Sequence, residues 1–275
     1  MEPVTPAVAG ILSMKTSVTE TVLITGASSG IGLELARCFA ADGCRLILLA
    51  RTTAAMEALA ETLRREHAIE VMVMTYDLAR PESPQAIFAE IQTRGVTVDV
   101  LVNNAGFGAS GAFAELPVRR ELEMVQVNIN ALMELTALFL PGLIARNRGG
   151  VLNVGSVAGF QPGPGMAVYF GTKAFVLSFT EALAEELRHT KLTMAVLCPG
   201  PTESNFGAVA RGDKQRDNPV MKMSARSVAE KGHRAYRRGK ITIVTGALNH
   251  FMVFLVRLTP RWLPRRIVGY YNRIS

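Results

Sequence analysis

Charge, cysteine, histidine and long apolar runs are all scarce in this chain of 275 residues. Charged residues make up 19% against 49% hydrophobic. That balance excludes global disorder, because so much apolar surface can be buried in a core. There are three cysteines, Cys38, Cys44 and Cys198. Their number is odd and their spacing suits neither a metal site nor a redox pair, so buried thiols in a reducing compartment are expected. His67, His189, His233 and His250 are scattered, with no HExxH or Cys/His cluster, and no metal site is predicted. The opening Met1-Glu2-Pro3 has no basic and apolar leader, which points to a cytoplasmic protein. Residues 1–18 are expected to be a flexible extension, and Met14 would serve as a start as well as Met1. No internal repeat or low-complexity linker divides the chain beyond residue 18.

Acidic residues are short in one region only. The net charge is +7, yet from Asn205 onward 15 Lys/Arg face 3 Asp/Glu, a balance of +12, which leaves −5 for residues 1–204. A basic third suits a phosphorylated ligand, an acidic substrate or a membrane surface, and also a plain solvated face. Without aromatic platforms or a recognisable motif, nucleic acid is not expected as a partner.

Short apolar runs alternate with helical stretches. TVLIT at 21–25, RLILLA at 45–50, VMVMT at 71–75, VDVLV at 98–102, GVLNVG at 150–155, LTMAVL at 192–197 and ITIVT at 241–245 read as strands. Helices are predicted over 31–41, to about Glu66, over 84–94, 119–145 and 167–189. Continuous apolar strands separated by helices imply an α/β fold, a doubly wound parallel sheet of about seven strands with helices on both faces. Residues 19–247 form one domain in this reading. The polar stretch 203–226 reads as a long functional loop at the carboxyl edge of the sheet.

After the first strand comes TGASSGIG at 25–32. Its glycines allow a tight turn, and the helix beyond them presents free N–H groups to a pyrophosphate. Gly26, Ser28, Ser29, Gly30, Ile31 and Gly32 are therefore candidate cofactor contacts. An NAD site expects an acidic residue at the end of the second strand, but Ala50 and then Arg51 stand there. Arg51 could hold a 2′-phosphate through charge-assisted bonds worth about 1.5–3 kcal/mol, roughly 10- to 100-fold in preference. NADP(H) is predicted over NAD(H).

Tyr169 and Lys173 lie four residues apart in a helical stretch, so both emerge on one face. A free phenol, with a pKa near ~10, is a poor acid or base at neutral pH. An ammonium about 4 Å away at an effective dielectric of ~20 favours the phenolate by roughly 4 kcal/mol, enough to bring it near ~7. The expectation is a tyrosine tuned for proton transfer by its lysine.

These residues, with Asp77-Leu78 after the third strand, Asn103-Asn104-Ala105-Gly106 after the fourth, Asn128, Ser156, and Pro199-Gly200 after the sixth, resemble the short-chain dehydrogenase/reductase family. The resemblance covers about residues 20–245 and is to the single-domain form with a Rossmann-like sheet. NNAGFG at 103–108 and Ala114-Glu115-Leu116-Pro117 are similar to a broad bacterial branch of it. The resemblance implies an oxidoreductase passing hydride between a nicotinamide and a carbonyl or secondary alcohol. Tyr169 would be the general acid or base, Lys173 its partner and a ribose contact, Ser156 a holder of the substrate oxygen, and Asn128 part of a water-linked proton relay. Asp77 and Leu78 would border the adenine, Asn104, Ala105 and Gly106 the adenosine ribose, and Pro199, Gly200, Thr202 and Ser204 the nicotinamide end. Thr202 and Ser204 stand where the family often has a β-branched apolar residue and a threonine. An epimerase or dehydratase on the same scaffold, or a non-catalytic NADP sensor, are the alternatives. Relatives pair through their long helices, so a homodimer or homotetramer is expected.

The last segment, 248–275, combines Phe251, Phe254, Leu255, Leu258 and Trp262 with Arg257, Arg261, Arg265 and Arg266. Too short to span a membrane, it suits a peripheral membrane contact, a lid over an apolar pocket or a subunit contact. The substrate is expected to be hydrophobic.

Overall fold

The computed structural model describes residues 19–203, Phe206 and 222–272. The strands are β1 Thr21–Thr25, β2 Arg45–Ala50, β3 Val71–Thr75, β4 Val100–Asn103, β5 Gly150–Val154, β6 Thr193–Cys198, β7 Thr202–Glu203, β8 Met223–Ser224 and β9 Thr242–Val244. Seven of them form a parallel sheet in the order β3-β2-β1-β4-β5-β6-β9. The short parallel pair β7–β8 lies apart from it. The helices are α1 Gly30–Ala41, α2 Thr53–His67, α3 Ser83–Thr93, α4 Val118–Val125, α5 Leu132–Arg146, α6 Ala167–Glu186, α7 Ala225–Arg237, α8 Ala247–Leu258 and α9 Trp262–Asn272.

Alternation along the strands builds two cores. Val22 and Ile24 of β1, Leu46 and Leu48 of β2, and Val100 and Val102 of β4 join one cluster with Leu35, Phe39, Met56 and Val228 of α1, α2 and α7. Leu23, Ile47, Leu49 and Leu101 point the other way and join Ile87, Leu135, Phe139 and Leu143 of α3 and α5. Successive strand side chains face opposite sides of the sheet, so two layers of helices are needed to cover strands that are apolar throughout.

The helix predicted over 119–145 is interrupted. Gln126–Ala131, which carries Asn128, is a π-helical turn between α4 and α5. Such turns widen the helix by one residue and often mark functional positions. The whole span Val118–Arg146 is long and apolar enough to cross a membrane by length and composition. Its apolar side, with Leu135, Phe139 and Leu143 buried, is packed against the sheet as a core helix. The predicted 203–226 loop is shorter than read, because α7 starts at Ala225 and β7–β8 close its two ends. The boundary drawn at 247/248 falls inside α8, and the extension 1–18 lies outside the described residues.

The strand order reverses between β1 and β4. At that point the connections leave the sheet in opposite directions and open a crevice beyond the carboxyl ends of the strands.

Candidate active site

That crevice is a single cleft of about 630 Å³, running from the glycine turn after β1 to the start of α6. The turn depends on backbone that only glycine adopts cheaply, with φ +67° at Gly26 and +58° at Gly30. Ser29 occupies the N-cap of α1 without a side-chain cap bond, so no cap competes with an anion for the first-turn N–H groups. Gly32 plays a different part from the one expected. It is buried and does not line the cleft, and a Cβ there would meet the Gly26 carbonyl oxygen and Asn104 Nδ2. It lets the turn fold back against β4.

The turn is braced from below by Thr25, for which the sequence suggested no role. Its hydroxyl accepts from the N–H groups of Asn104 and Ala105, both at 3.0 Å, and donates to the Val102 carbonyl at 3.3 Å. Asn104 returns the contact, donating from Nδ2 to the carbonyls of Thr25 at 2.9 Å and Gly26 at 3.1 Å. The Asn104 side chain thus shapes the phosphate turn, while Ala105 and Gly106 form the cleft wall.

Arg51 lines the same end of the cleft beside Ser28 and Ser29. It is exposed, and among the described residues it has no carboxylate partner. Asp77 and Leu78 form the neighbouring wall. Asp77 Oδ1 accepts from the Ala79 N–H at 3.0 Å, which fixes the carboxylate. Positive-φ glycines and open helix amides suit the phosphates of a dinucleotide.

At the other end three polar groups converge. Tyr169 and Lys173 emerge from the first turns of α6, and Ser156 caps the short 3₁₀ turn Val157–Phe160 after β5. The Ser156 hydroxyl accepts from the Ala158 N–H at 3.1 Å. Lys173 donates from Nζ to the Val154 carbonyl at 2.7 Å, and its Nζ lies 5.9 Å from the centre of the Tyr169 ring. Phe170 and Phe206 enclose the tyrosine, with ring centres at 6.1 and 5.1 Å. The helix carrying the pair is held by a buried polar ladder. Asn103 Nδ2 donates to Asn153 Oδ1 at 3.0 Å and to Thr136 Oγ1 at 3.1 Å, and Asn153 Nδ2 donates to Thr180 Oγ1 at 2.8 Å. The network leaves one buried acceptor, Asn103 Oδ1, without a partner among the described residues, and its bonds tie the carboxyl ends of β4 and β5 to α5 and α6.

The tuning expected of the Tyr–Lys pair is not present in the protein alone. Burial pushes the Tyr169 phenol up to about 12, only partly offset by the Ser156 hydroxyl beside it. Burial also pulls Lys173 down to about 8. Desolvation penalises both charged forms. The lysine is tied to a backbone carbonyl, and burial of the phenol outweighs any lowering that it provides. The Cys198 thiol sits behind the pair and is itself raised to about 12, first by burial. It is a buried thiol as expected.

Asn128 stands outside the cleft lining. Its Oδ1 accepts from the Phe107 N–H at 3.1 Å, and its Nδ2 donates to the Phe107 carbonyl at 3.0 Å and to Thr172 Oγ1 at 3.1 Å. Both Nδ2 donors and one acceptor site of Oδ1 clamp the post-β4 segment to α6. A Cβ at Gly106 would lie 3.0 Å from Asn128 Oδ1 and 3.5 Å from Lys173 Nζ, so glycine there lets the two approach one another.

Pro199, Gly200 and Thr202 line the cleft beyond β6. The Thr202 hydroxyl donates to the Gly200 carbonyl at 2.9 Å, so it serves the turn. Ser204 lies outside the described residues. Asn249 and Asn272 were not foreseen. Asn249 fills the space beside Gly200, and Asn272, on the cleft rim, donates to the Pro164 carbonyl at 2.7 Å. Only folding brings the last helix to this rim, so no local signal marked them. Among the described residues, no group of His, Cys, Asp and Glu could hold a metal ion.

Comparison with known proteins accounts for this arrangement. The family model described as short chain dehydrogenase matches residues 20–215. An NADP-dependent 3-hydroxy acid dehydrogenase of Schizosaccharomyces pombe is 34% identical over 208 residues, covering 74% of this chain and 80% of the relative. A short-chain dehydrogenase from Sphingobium yanoikuyae, solved with NADPH, superposes with a TM-score of 0.78 at 30% identity, covering 87% of this chain and 94% of the other. One from Burkholderia phymatum, solved with NAD, gives 0.78 at 26% identity over 90% and 95%. The chain belongs to the short-chain dehydrogenase/reductase family and is an oxidoreductase acting between hydroxyl and carbonyl groups.

Proposed function

We propose that this protein is an NADP(H)-dependent reductase of hydrophobic ketones or 3-oxo acid derivatives. The observation that carries the reading is one cleft with two chemically distinct ends. The glycine turn and Arg51 line one end, and Tyr169, Ser156 and Lys173 line the other. NADPH, when bound, supplies the hydride. The residues then divide the remaining work. Gly26, Gly30 and the first-turn amides of α1 hold the pyrophosphate, and Arg51 holds the 2′-phosphate. Ser156 donates to the substrate oxygen, and Tyr169 passes its proton to that oxygen as negative charge develops there. Lys173 compensates the phenolate that remains, and Asn128 positions the wall against which both work.

Support for a hydrophobic substrate comes from the aromatic collar of Phe170 and Phe206 and from Met166 and Phe107 in the same lining. The 3-hydroxy acid dehydrogenase relative supports the 3-oxo class. Exposed Leu122, Met133 and Ile144 on α4 and α5 support a homo-oligomer paired through that helix.

The test is NADPH oxidation across panels of bulky ketones, 3-oxo esters and 3-oxoacyl thioesters, with Tyr169→Phe alongside. Replacement of Tyr169 should cut turnover by roughly 10²–10⁴-fold while NADPH affinity stays within a small factor. Turnover that survives the substitution refutes the acid role. Activity confined to small polar ketones refutes the substrate class.

A further inference from the structure

We propose that α8 and α9 form a docking face for the surface of an anionic lipid bilayer. The docking face is argued independently of the reaction assigned above, and only its consequence for substrate entry rests on that reading. Helix α8 is apolar, yet none of its residues is buried. Leu248, Phe251, Phe254 and Leu258 are 51–67% exposed. In a helix that served the core, side chains at this spacing would be the ones covered. Helix α9, which follows in the chain, adds Trp262 at 52% and Ile267 at 50% exposure. Exposed large apolar side chains gathered in one segment mark an interaction site.

Charge identifies the partner. Residues 247–272 carry four arginines, Arg257, Arg261, Arg265 and Arg266, and no aspartate or glutamate. All four are exposed. Large apolar side chains, a tryptophan and arginines with no acid between them suit the boundary between headgroups and acyl chains. A second copy of this chain suits it less well. A two-fold contact would gather four arginines from each copy into one seam to which these helices bring no acid, whereas anionic headgroups neutralise them. At 12 and 11 residues, the helices are too short to cross a bilayer, which takes about 20 residues, so they lie along it.

The position of the face gives it a consequence. Asn272 at the end of α9 bonds the Pro164 carbonyl and lines the rim of the catalytic cleft. A Cβ at Gly269 would come into van der Waals contact with the Pro164 ring, so α9 runs close beside that loop. Docking through α8 and α9 therefore sets the cleft mouth beside the lipid surface, where an apolar substrate dissolves.

The experiment is flotation of the full chain with two sets of vesicles, phosphatidylcholine alone and an equal mixture of phosphatidylcholine and phosphatidylglycerol. Phe254→Glu/Leu258→Glu and Arg265→Gln/Arg266→Gln are run in parallel. All four positions are exposed, and an unchanged thermal transition verifies folding. The wild type should float with the mixed vesicles and be released by high salt. The glutamate pair should abolish flotation, and the glutamine pair should weaken it by about tenfold or more, since each surface arginine contributes about fivefold. Flotation indifferent to lipid charge, or surviving both double substitutions, overturns the proposal. So does absence of flotation together with a self-association that Phe254→Glu/Leu258→Glu dissolves, which would assign the face to a second copy.

Discussion

Replacing Lys173 with methionine should stabilise the protein while destroying its activity. Lys173 is 6% exposed, and burial lowers it from 10.5 to about 8. At about 1.4 kcal/mol per unit, keeping its proton in the folded state costs about 3 kcal/mol below its folded pKa. Methionine removes that cost but also removes the charged donor to the buried Val154 carbonyl, a loss of about 2 kcal/mol. The net gain is about 1 kcal/mol near neutral pH. Between the folded and unfolded values the unfolded chain binds the additional proton, so the stability of the wild type rises with pH across this window. The methionine protein has no such group. Its advantage should therefore shrink and vanish by about pH 10. Tyr169, raised by burial, destabilises the fold as pH climbs above the ordinary phenol range, but it is common to both proteins and cancels in the difference. Urea unfolding at a series of pH values, with unchanged m-values, measures the effect directly. A stability difference that stays flat with pH would refute the assignment of a desolvated ammonium in this site. Lys173 is then a case of stability given up for function.

Other predictions bear on the cofactor and the core. Arg51→Asp should lower kcat/KM with NADPH and raise it with NADH, reversing the ratio; an unchanged ratio in steady-state assays removes the 2′-phosphate role. Gly32→Ala should abolish NADPH binding in a fluorescence titration, because its Cβ would displace Gly26 and Asn104; binding within twofold of the wild type, about 0.4 kcal/mol, would show that the turn tolerates displacement. Glu121 is buried with Oε1 lacking a hydrogen-bond partner, and its carboxyl is raised first by burial. Its contribution to stability therefore falls as pH rises through the carboxylate range, and Glu121→Gln should flatten that part of the stability profile. An unaltered profile would place the titration elsewhere.

The sheet was legible in the sequence because its strands are short, apolar and β-branched, and because each is succeeded by a helical stretch. The glycine turn, Arg51, Ser156, Tyr169 and Lys173 were legible because each stands at the end of a strand or in the first turns of a helix. In such a sheet, those places face the cleft. Gly32 was assigned to the site by position and Asn128 by resemblance, and in the fold both stand behind the cleft lining. Which way a side chain turns depends on what lies opposite it, and Asn104, Phe107 and Thr172 come from elsewhere in the chain.

By itself the sequence determined the parallel sheet, the phosphate turn and the pairing of tyrosine with lysine on one helix face, since all three arise from local spacing. Tertiary structure alone decided the rest. The π turn at Gln126–Ala131, the Thr25 brace, the Asn103–Asn153–Thr180 ladder and the approach of Asn272 to the cleft join residues 27 or more positions apart or bend a helix that reads as regular. It also decided the protonation of the Tyr169 and Lys173 pair. Spacing gives proximity, but desolvation depends on how many other side chains exclude water from both.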